Sequence, residues 1–406
     1  MTAIWKWAAV AVVSVLCASE ALCAGAAQAA TCQNTGNFDR WLDGFRKEAS
    51  ESGVSQKTIQ SALGSMRLDQ GIIGRDRRQG FFAQSFLDFS DKLTRGRADS
   101  GRRKVEQHRA LFASVEKTYG VPGPVITAFW ALESDFGSGM GDLPVLRSLA
   151  TLAYDCRRGE MFRGELLAAL KIIDRGDLQP DEMIGSWAGE LGQTQFLPSH
   201  YLKHAVDFDG DGRRDLLTST PDVVASTGAF IASLGWERGQ PWLQEVRVPT
   251  MLAWDQADLA IQHPRSQWAE WGVTLADGKA LPGDALPASL LLPMGRNGPA
   301  FLAYPNFQAY LKWNQSLTYA TTAAYLATRI AGAPAMRRGK AGIPVLSGEQ
   351  VKDLQTLLAR HGYQVGEPDG KLGAASRAAV KQAQLKFAMP ADSYPSAELI
   401  DRLRRK

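Results

Sequence analysis

Cysteine is scarce in this chain, with 4 among 406 residues, and two of them, Cys17 and Cys23, fall within the first thirty positions. The other two, Cys32 and Cys156, have neither a C-x-x-C partner nor a neighbouring histidine, which excludes a zinc ribbon and a thiol-redox centre. An excess of one charge is missing too. The 46 Lys and Arg against 42 Asp and Glu leave only +4, too small a surplus to point to nucleic acid. Neither a glycine period nor sustained heptads occur, so collagen-like and coiled-coil chains are excluded. No uninterrupted apolar run reaches the ~18 residues of a membrane span. What remains is ordinary globular composition, 45% hydrophobic and 22% charged, which rules out disorder as the main state. At about 100–200 residues per domain, the length suggests two or three domains.

Residues 1–30 read as an export signal. Lys6 supplies the positive start, Ala8 to Leu16 the apolar stretch, and Ala27-Gln28-Ala29 a small-residue cleavage site. The alternative, an uncleaved anchor, is opposed by Ser14, Ser19, Glu20, Gly25 and Gln28, which break the apolar run. Leu16 and Leu22 precede Cys17 and Cys23, which argues against a lipid-modified cysteine. The expectation is an exported, periplasmic protein with no transmembrane span in its mature form. In an oxidising compartment Cys32 and Cys156 are candidates for one disulfide; two separate buried thiols are the alternative.

Phe38, Trp41, Leu42 and Phe45 share one helical face. Ser55 reads as the N-cap of a second helix, with Val54 and Ile59 at staple positions. Further helical patterns cover Phe112 to Tyr119, Pro124 to Phe136, Phe162 to Asp174 and Val223 to Leu234, and Leu290 to Pro293 is a short strand candidate. The spacing predicts a mainly α first domain over 31–332 with minor β. Residues 333–344, APAMRRGKAGIP, lack periodicity and read as a linker. A small module follows over 345–406. Ser347 caps a helix carrying Val351, Leu354 and Leu358, Gly362 ends it, Asp369-Gly370 turns, and Ala374 to Phe387 form another helix.

The most informative residue is Glu133. At 100° per residue it falls within the apolar stripe of Val125, Ile126, Phe129, Trp130 and Leu132. Desolvation there raises a carboxyl's pKa, as does the negative end of a helix expected to stop at Gly137 and Gly139. A carboxyl protonated near neutral pH suits general-acid chemistry on a glycosidic oxygen; a structural ion pair is the alternative. Asp135 points elsewhere on the helical wheel, and no second carboxylate of the kind ordinary glycosidases need is evident.

The blocks ALESDFG (131–137), RSLATLAYD (147–155), GSWAGELGQTQFLPSHY (185–201), AVDFDGDGRRDLL (205–217) and FLAYPNFQAYLKWNQSLTYA (301–320) occur in order. In them the chain resembles the soluble lytic murein transglycosylases of the membrane-bound B type. The resemblance implies a lysozyme-like helical domain. Its activity would be cleavage of the β-1,4 bond between N-acetylmuramic acid and N-acetylglucosamine, forming 1,6-anhydromuramyl ends without consuming water. Glu133 matches the single acid/base. Gln195, Asn314 and Tyr319 match positions lining the sugar cleft, where an amide can both donate and accept. Gln195 has a helix–loop brace as its alternative. Trp313 stands where an aromatic is expected, to stack on sugar or to fill core. Glu190 departs from the family pattern, which has a small residue there.

Asp207, Asp209, Asp211, Arg213 through its carbonyl, and Asp215 have the spacing of an EF-hand opening, but Thr218 replaces the closing glutamate. The resemblance offers Asp222 as the completing ligand. Ca2+ is expected as a structural ion, and no cofactor is required for the chemistry; a solvated acidic turn is the alternative. The segment from Gly362 through Asp369, Gly370 and Gly373 to Arg377 resembles a three-helix peptidoglycan-binding domain. Peptidoglycan glycan strands are therefore the expected partner, with no nucleic acid and a monomeric protein. Two other functions stay open: a muramidase-type hydrolase using water, and a non-catalytic wall-binding scaffold.

Overall fold

The computed structural model describes residues 36–77, 84–340 and 342–405. The proposed signal and Cys32 lie outside these residues. Cys156 is disulfide-bonded, and every other cysteine of the chain also lies outside them.

The described residues form 17 α-helices and two small antiparallel sheets, so the mainly α expectation holds. Local signals explain many of the helix starts. Asn37 accepts a hydrogen bond from the Arg40 amide at the start of Phe38–Glu51, whose Trp41, Leu42 and Phe45 are buried. Ser55 caps Gln56–Leu63 as its spacing predicts, and Val54 and Ile59 are both buried. A helical cluster built around Phe129, Trp130, Leu149, Leu166 and Leu326 forms the main core. Within it the helix Gly123–Ser134 contacts Leu317–Ile330 and Arg97–Gln107, and so lies at the centre.

A second core belongs to the five-stranded sheet, in the order His263–Pro264, Pro287–Leu291, Ala300–Ala303, Leu243–Arg247, Thr274–Leu275. Trp268, Leu290 and Leu302 pack there. The region 36–332 therefore contains two hydrophobic cores where the sequence suggested one helical domain with minor β. The strand expected near Leu290 is present and starts three residues earlier than expected, at Pro287.

The C-terminal module has three helices, Gly348–Arg360, Ala374–Lys386 and Ala397–Arg404, around Leu354, Leu358, Val380 and Leu399. Ser347 and Gln350 form a full capping box. Gly362 is left-handed at φ +85, as its place after the helix requires. The segment read as a linker is strapped to the sheet. The Arg337 amide donates to Glu245 at 2.9 Å, its guanidinium to the Val246 carbonyl at 2.8 Å, and the Lys340 amide to the Asn297 carbonyl at 2.8 Å. The module itself is docked on the preceding region. Lys381 pairs with Asp258 at 2.7 Å, Arg296 pairs with the buried Asp392 at 3.3 Å, and Arg377 donates to the carbonyls of Leu292 and Pro293. No helix among the described residues is long and apolar enough to cross a membrane.

Candidate active site

Glu133 sits in the last turn of Gly123–Ser134. Most of this helix is buried on every side, as expected of a central helix rather than a one-sided amphipathic one. Leu132 and Glu133 are the residues near its end that remain partly open. The helix stops at Ser134, before the expected glycines. Asp135 (φ +51) and Phe136 (φ +62) take the left-handed turn, and the Phe136 amide returns to the Trp130 carbonyl at 3.2 Å. Gly137 is needed for another reason. Its φ is +91, and a Cβ there would sit 2.7 Å from Gln193 Oε1.

Two donors from the far end of the domain converge on one oxygen of this carboxyl. Trp313, the last residue of Phe307–Trp313, donates Nε1–H to Glu133 Oε1 at 2.9 Å. Tyr319, in the first turn of Leu317–Ile330, donates its hydroxyl to the same oxygen. Burial raises the Glu133 carboxyl to about 7. The two hydrogen bonds oppose that rise, and the neighbouring charge of Glu190 adds to it. Burial likewise pushes the Tyr319 hydroxyl far up, so it stays a donor. Oε1 being taken, Oε2 is left to carry the proton. The Glu133 carboxyl is thus raised to near neutrality and aimed by two neutral donors.

The other expected cleft residues are present with different duties. Trp313 is stacked on Phe129 with centroids 4.2 Å apart, so one face of its ring belongs to the core and its N–H belongs to Glu133. Gln195, left-handed at φ +49, donates its amide nitrogen to the carbonyls of Met140 (3.1 Å) and Gly192 (2.9 Å), the bracing role. Asn314 is exposed on the loop between the two helices that carry Trp313 and Tyr319, and its Oδ1 accepts from the Ser316 amide at 2.9 Å. Sequence reasoning passed over Gln193, which accepts from Trp130 Nε1 at 2.8 Å and donates to the Leu217 carbonyl at 2.8 Å. It thereby ties the acid's helix to the loop 185–196. A buried amide in a Gln-Thr-Gln run next to glycines was the available signal.

In the acidic loop, carboxylate oxygens of Asp207, Asp209 and Asp211 lie within 4.8 Å of one another. Three hard oxygens on a turn with left-handed Gly210 and Gly212 fit a calcium ion. Asp215 and Asp222 stand outside this trio. Asp215 accepts from the amides of Leu217 (2.8 Å) and Thr218 (2.9 Å). Asp222 is fully buried and spends both oxygens on the amides of Phe208 (2.7 Å) and Asp215 (2.8 Å), bracing the two ends of the loop. The Arg213 side chain turns away to the Asp177 carbonyl at 2.9 Å.

A lysozyme-like helical domain that holds a buried carboxyl raised to near neutrality between two fixed donors, and that carries a docked three-helix module, is the class this geometry defines. The chain belongs to the transglycosylase SLT domain family, which matches residues 37–328; a peptidoglycan binding domain matches residues 347–403. It is 32% identical over 210 residues to the membrane-bound lytic murein transglycosylase B of Escherichia coli, covering 50% of this chain and 55% of that protein. The chain thus spans about half the length of that curated relative. Among solved structures it is similar to SltB3 of Pseudomonas aeruginosa in complex with NAG-anhNAM-pentapeptide, at 40% identity and a TM-score of 0.84 over 91% of this chain and 99% of that one. It is also similar to the Escherichia coli lytic transglycosylase Slt35 in complex with calcium, at 26% identity and a TM-score of 0.60 over 71% of this chain and 92% of that one.

Proposed function

We propose that this protein is a lytic transglycosylase that cleaves the β-1,4 bond between N-acetylmuramic acid and N-acetylglucosamine in peptidoglycan, leaving 1,6-anhydromuramyl ends. The observation that carries the reading is the Glu133 carboxyl, protonated near neutrality, with Trp313 and Tyr319 both bound to Oε1. Glu133 gives its Oε2 proton to the departing glycosidic oxygen as the C1–O bond breaks. The resulting carboxylate then takes the proton of the muramyl 6-hydroxyl, whose oxygen bonds to C1. Protons balance, Glu133 is restored, and no water is consumed. Attack within one sugar benefits from the high effective molarity of an intramolecular nucleophile. The SltB3 complex with an anhydro-sugar ligand supports this outcome by family relationship.

A muramidase that uses water is the second reading, and one observation favours it: the charge of a second carboxyl, Glu190, reaches Glu133. Mass spectrometry of muropeptides released from purified sacculi separates the two. Anhydro ends support the transglycosylase, products heavier by one water the hydrolase, and an absence of products overturns both.

The protein is exported to the periplasm on this reading and works there as a monomer. Its C-terminal module holds glycan near the cleft, raising the effective substrate concentration. Ca2+, held by Asp207, Asp209 and Asp211, stiffens the loop and takes no part in bond cleavage.

A further inference from the structure

Gln193 is buried within the loop 185–196 and uses all four of its polar atoms. Its amide N–H donates to the Leu216 carbonyl at 2.8 Å, and its side-chain Nε2 donates to the Leu217 carbonyl at 2.8 Å. Its Oε1 accepts from Trp130 Nε1 at 2.8 Å, and its carbonyl accepts from the Ser134 hydroxyl. Two of these bonds go to the helix Gly123–Ser134, and two go to the chain just after the acidic loop. Ser134 Oγ also accepts from the Gly137 amide at 2.8 Å, which ties the left-handed turn to the same point. Among the described residues no other group bonds to Trp130 Nε1 or to the Leu217 carbonyl.

Trp130 and Ser134 are four residues apart on one helical face, and Glu133 is their neighbour there, three after the first and one before the second. The turn that carries the acid is therefore held at both ends by a single residue. Packing reinforces the hold on Trp130, which is buried, meets the Phe136 ring edge-on at 5.4 Å and has the Lys104 ammonium 5.6 Å over its face.

The carboxyl itself is gripped from elsewhere. Trp313 and Tyr319 hold Oε1 from Phe307–Trp313 and Leu317–Ile330, helices to which Gln193 makes no hydrogen bond among the described residues. Both grips are met at once only if the helix end stands in one place, because a hydrogen bond weakens steeply as its geometry departs from the ideal. A helix end free to shift would loosen the Oε1 bonds and turn Oε2 away from the glycosidic oxygen.

We propose that Gln193 is a positioning residue for the acid: by holding Trp130 and Ser134, the neighbours of Glu133 on its helix, it fixes the point from which Oε2 delivers the proton. Gln195, two residues on, spends its side-chain amide on the Met140 and Gly192 carbonyls instead. This role rests on the reading of Glu133 as the acid.

The test is saturation kinetics on soluble peptidoglycan oligomers with the full-length protein and its Gln193→Met variant. Met keeps the length and bulk of the side chain but loses the amide. The expected result is a kcat lower by about tenfold to a hundredfold with KM within about twofold, since misplacing a reacting group by about 1 Å costs up to about a hundredfold. The Trp313 indole N–H resonance in proton–nitrogen correlation spectra should move in the same variant, because it reports the bond to Glu133 Oε1. Gln193→Glu, whose carboxyl still accepts from Trp130, should recover most of the lost kcat. A brace that serves stability alone predicts a lower melting temperature with kcat per folded molecule and the Trp313 resonance unchanged. That outcome overturns the role and leaves Glu133 as the acid. A Glu133→Gln variant that still cleaves overturns the function reading and this role with it. If Gln193→Met does not fold, Ser134→Ala decides, since it removes only the hydroxyl between the helix end and the Gln193 carbonyl. A lower kcat with a moved Trp313 resonance supports the role, and an unchanged kcat overturns it.

Discussion

Trp313 donates its indole N–H to Oε1 of Glu133 at 2.9 Å, across 180 positions of sequence. The bond is made by a ring whose face is already committed to Phe129, and which meets Phe230 at 5.0 Å and Phe196 at 5.8 Å. The donor is therefore held by packing and has little freedom to follow the carboxyl. The acid is aimed by core side chains, which act as preorganised dipoles without the cost of ordering them at each turnover.

Glu133→Gln keeps this geometry and removes the exchangeable proton. Cleavage of sacculi should fall at least a hundredfold to ten-thousandfold, the range for a general acid. Stability should move the other way. The folded carboxyl is raised to about 7 from an ordinary 4.5, so the folded state holds a proton that the unfolded chain has released. Folding is unaffected by this group below about pH 4, loses stability as pH rises, and bears the full cost above pH 7. That cost is on the order of 3 kcal/mol. Thermal melts should show Glu133→Gln more stable than the unsubstituted protein at pH 8 and equal to it at pH 4. A variant less stable at pH 8 would contradict the burial argument.

Tyr319→Phe removes the other donor to Oε1. Its hydrogen bond holds the Glu133 carboxyl down against burial, so its loss should push that carboxyl further up. The basic limb of the pH–rate profile is expected to move toward alkali, with a rate at the optimum lower by about tenfold to a hundredfold because the acid is less well aimed. An unchanged limb would mean that the hydroxyl does not touch the carboxyl in solution.

How much of this was legible in the sequence differs from residue to residue. Glu133 was visible because a carboxylate in an apolar helix violates patterning. Its partners were reachable only as cleft positions, since nothing local tells Trp313 or Tyr319 that their donors meet one oxygen. The extra core of the sheet was hidden for a different reason. Ala300–Ala303 is buried throughout, so it lacks the alternation that marks a half-exposed strand. The helix end at Ser134 was missed because Asp135 and Phe136 adopt a turn that glycine ordinarily takes. Asp222 matched a ligand position, yet its burial and its two amide partners make it a brace.

The acidic loop should respond to calcium. Asp207, Asp209 and Asp211 crowd three carboxylates within 4.8 Å, and a divalent cation relieves that repulsion. Millimolar Ca2+ should raise the melting temperature by several degrees, as expected of a ligand that binds the folded state alone. The shift should vanish in Asp209→Ala, and excess chelator should reverse it. Cleavage chemistry at saturating substrate should change little. No thermal shift up to tens of millimolar would leave the loop an ordinary solvated turn.

Docking of the C-terminal module depends on Arg377. Its guanidinium is buried, its pKa is brought down to about 10 by that burial, and it donates to the carbonyls of Leu292 and Pro293. Arg377→Ala removes the donor to the Pro293 carbonyl, at about 1–3 kcal/mol for a buried group, while the Leu292 carbonyl keeps the Gly295 amide at 3.2 Å. Combined with Lys381→Ala, which breaks the 2.7 Å pair to Asp258, it should release the module from the sheet while the strap at Arg337 keeps the two connected. Calorimetry should then resolve a separate, lower transition for the module, whose small core of Leu354, Leu358, Val380 and Leu399 has little to spare. Small-angle scattering should record a larger radius of gyration. Soluble muropeptides should be cut at close to the unsubstituted rate, whereas turnover of intact sacculi should drop as the fixed geometry between module and cleft is lost. A single transition with unchanged scattering would mean that the remaining contacts, Arg296 with Asp392 among them, are enough to hold the module in place.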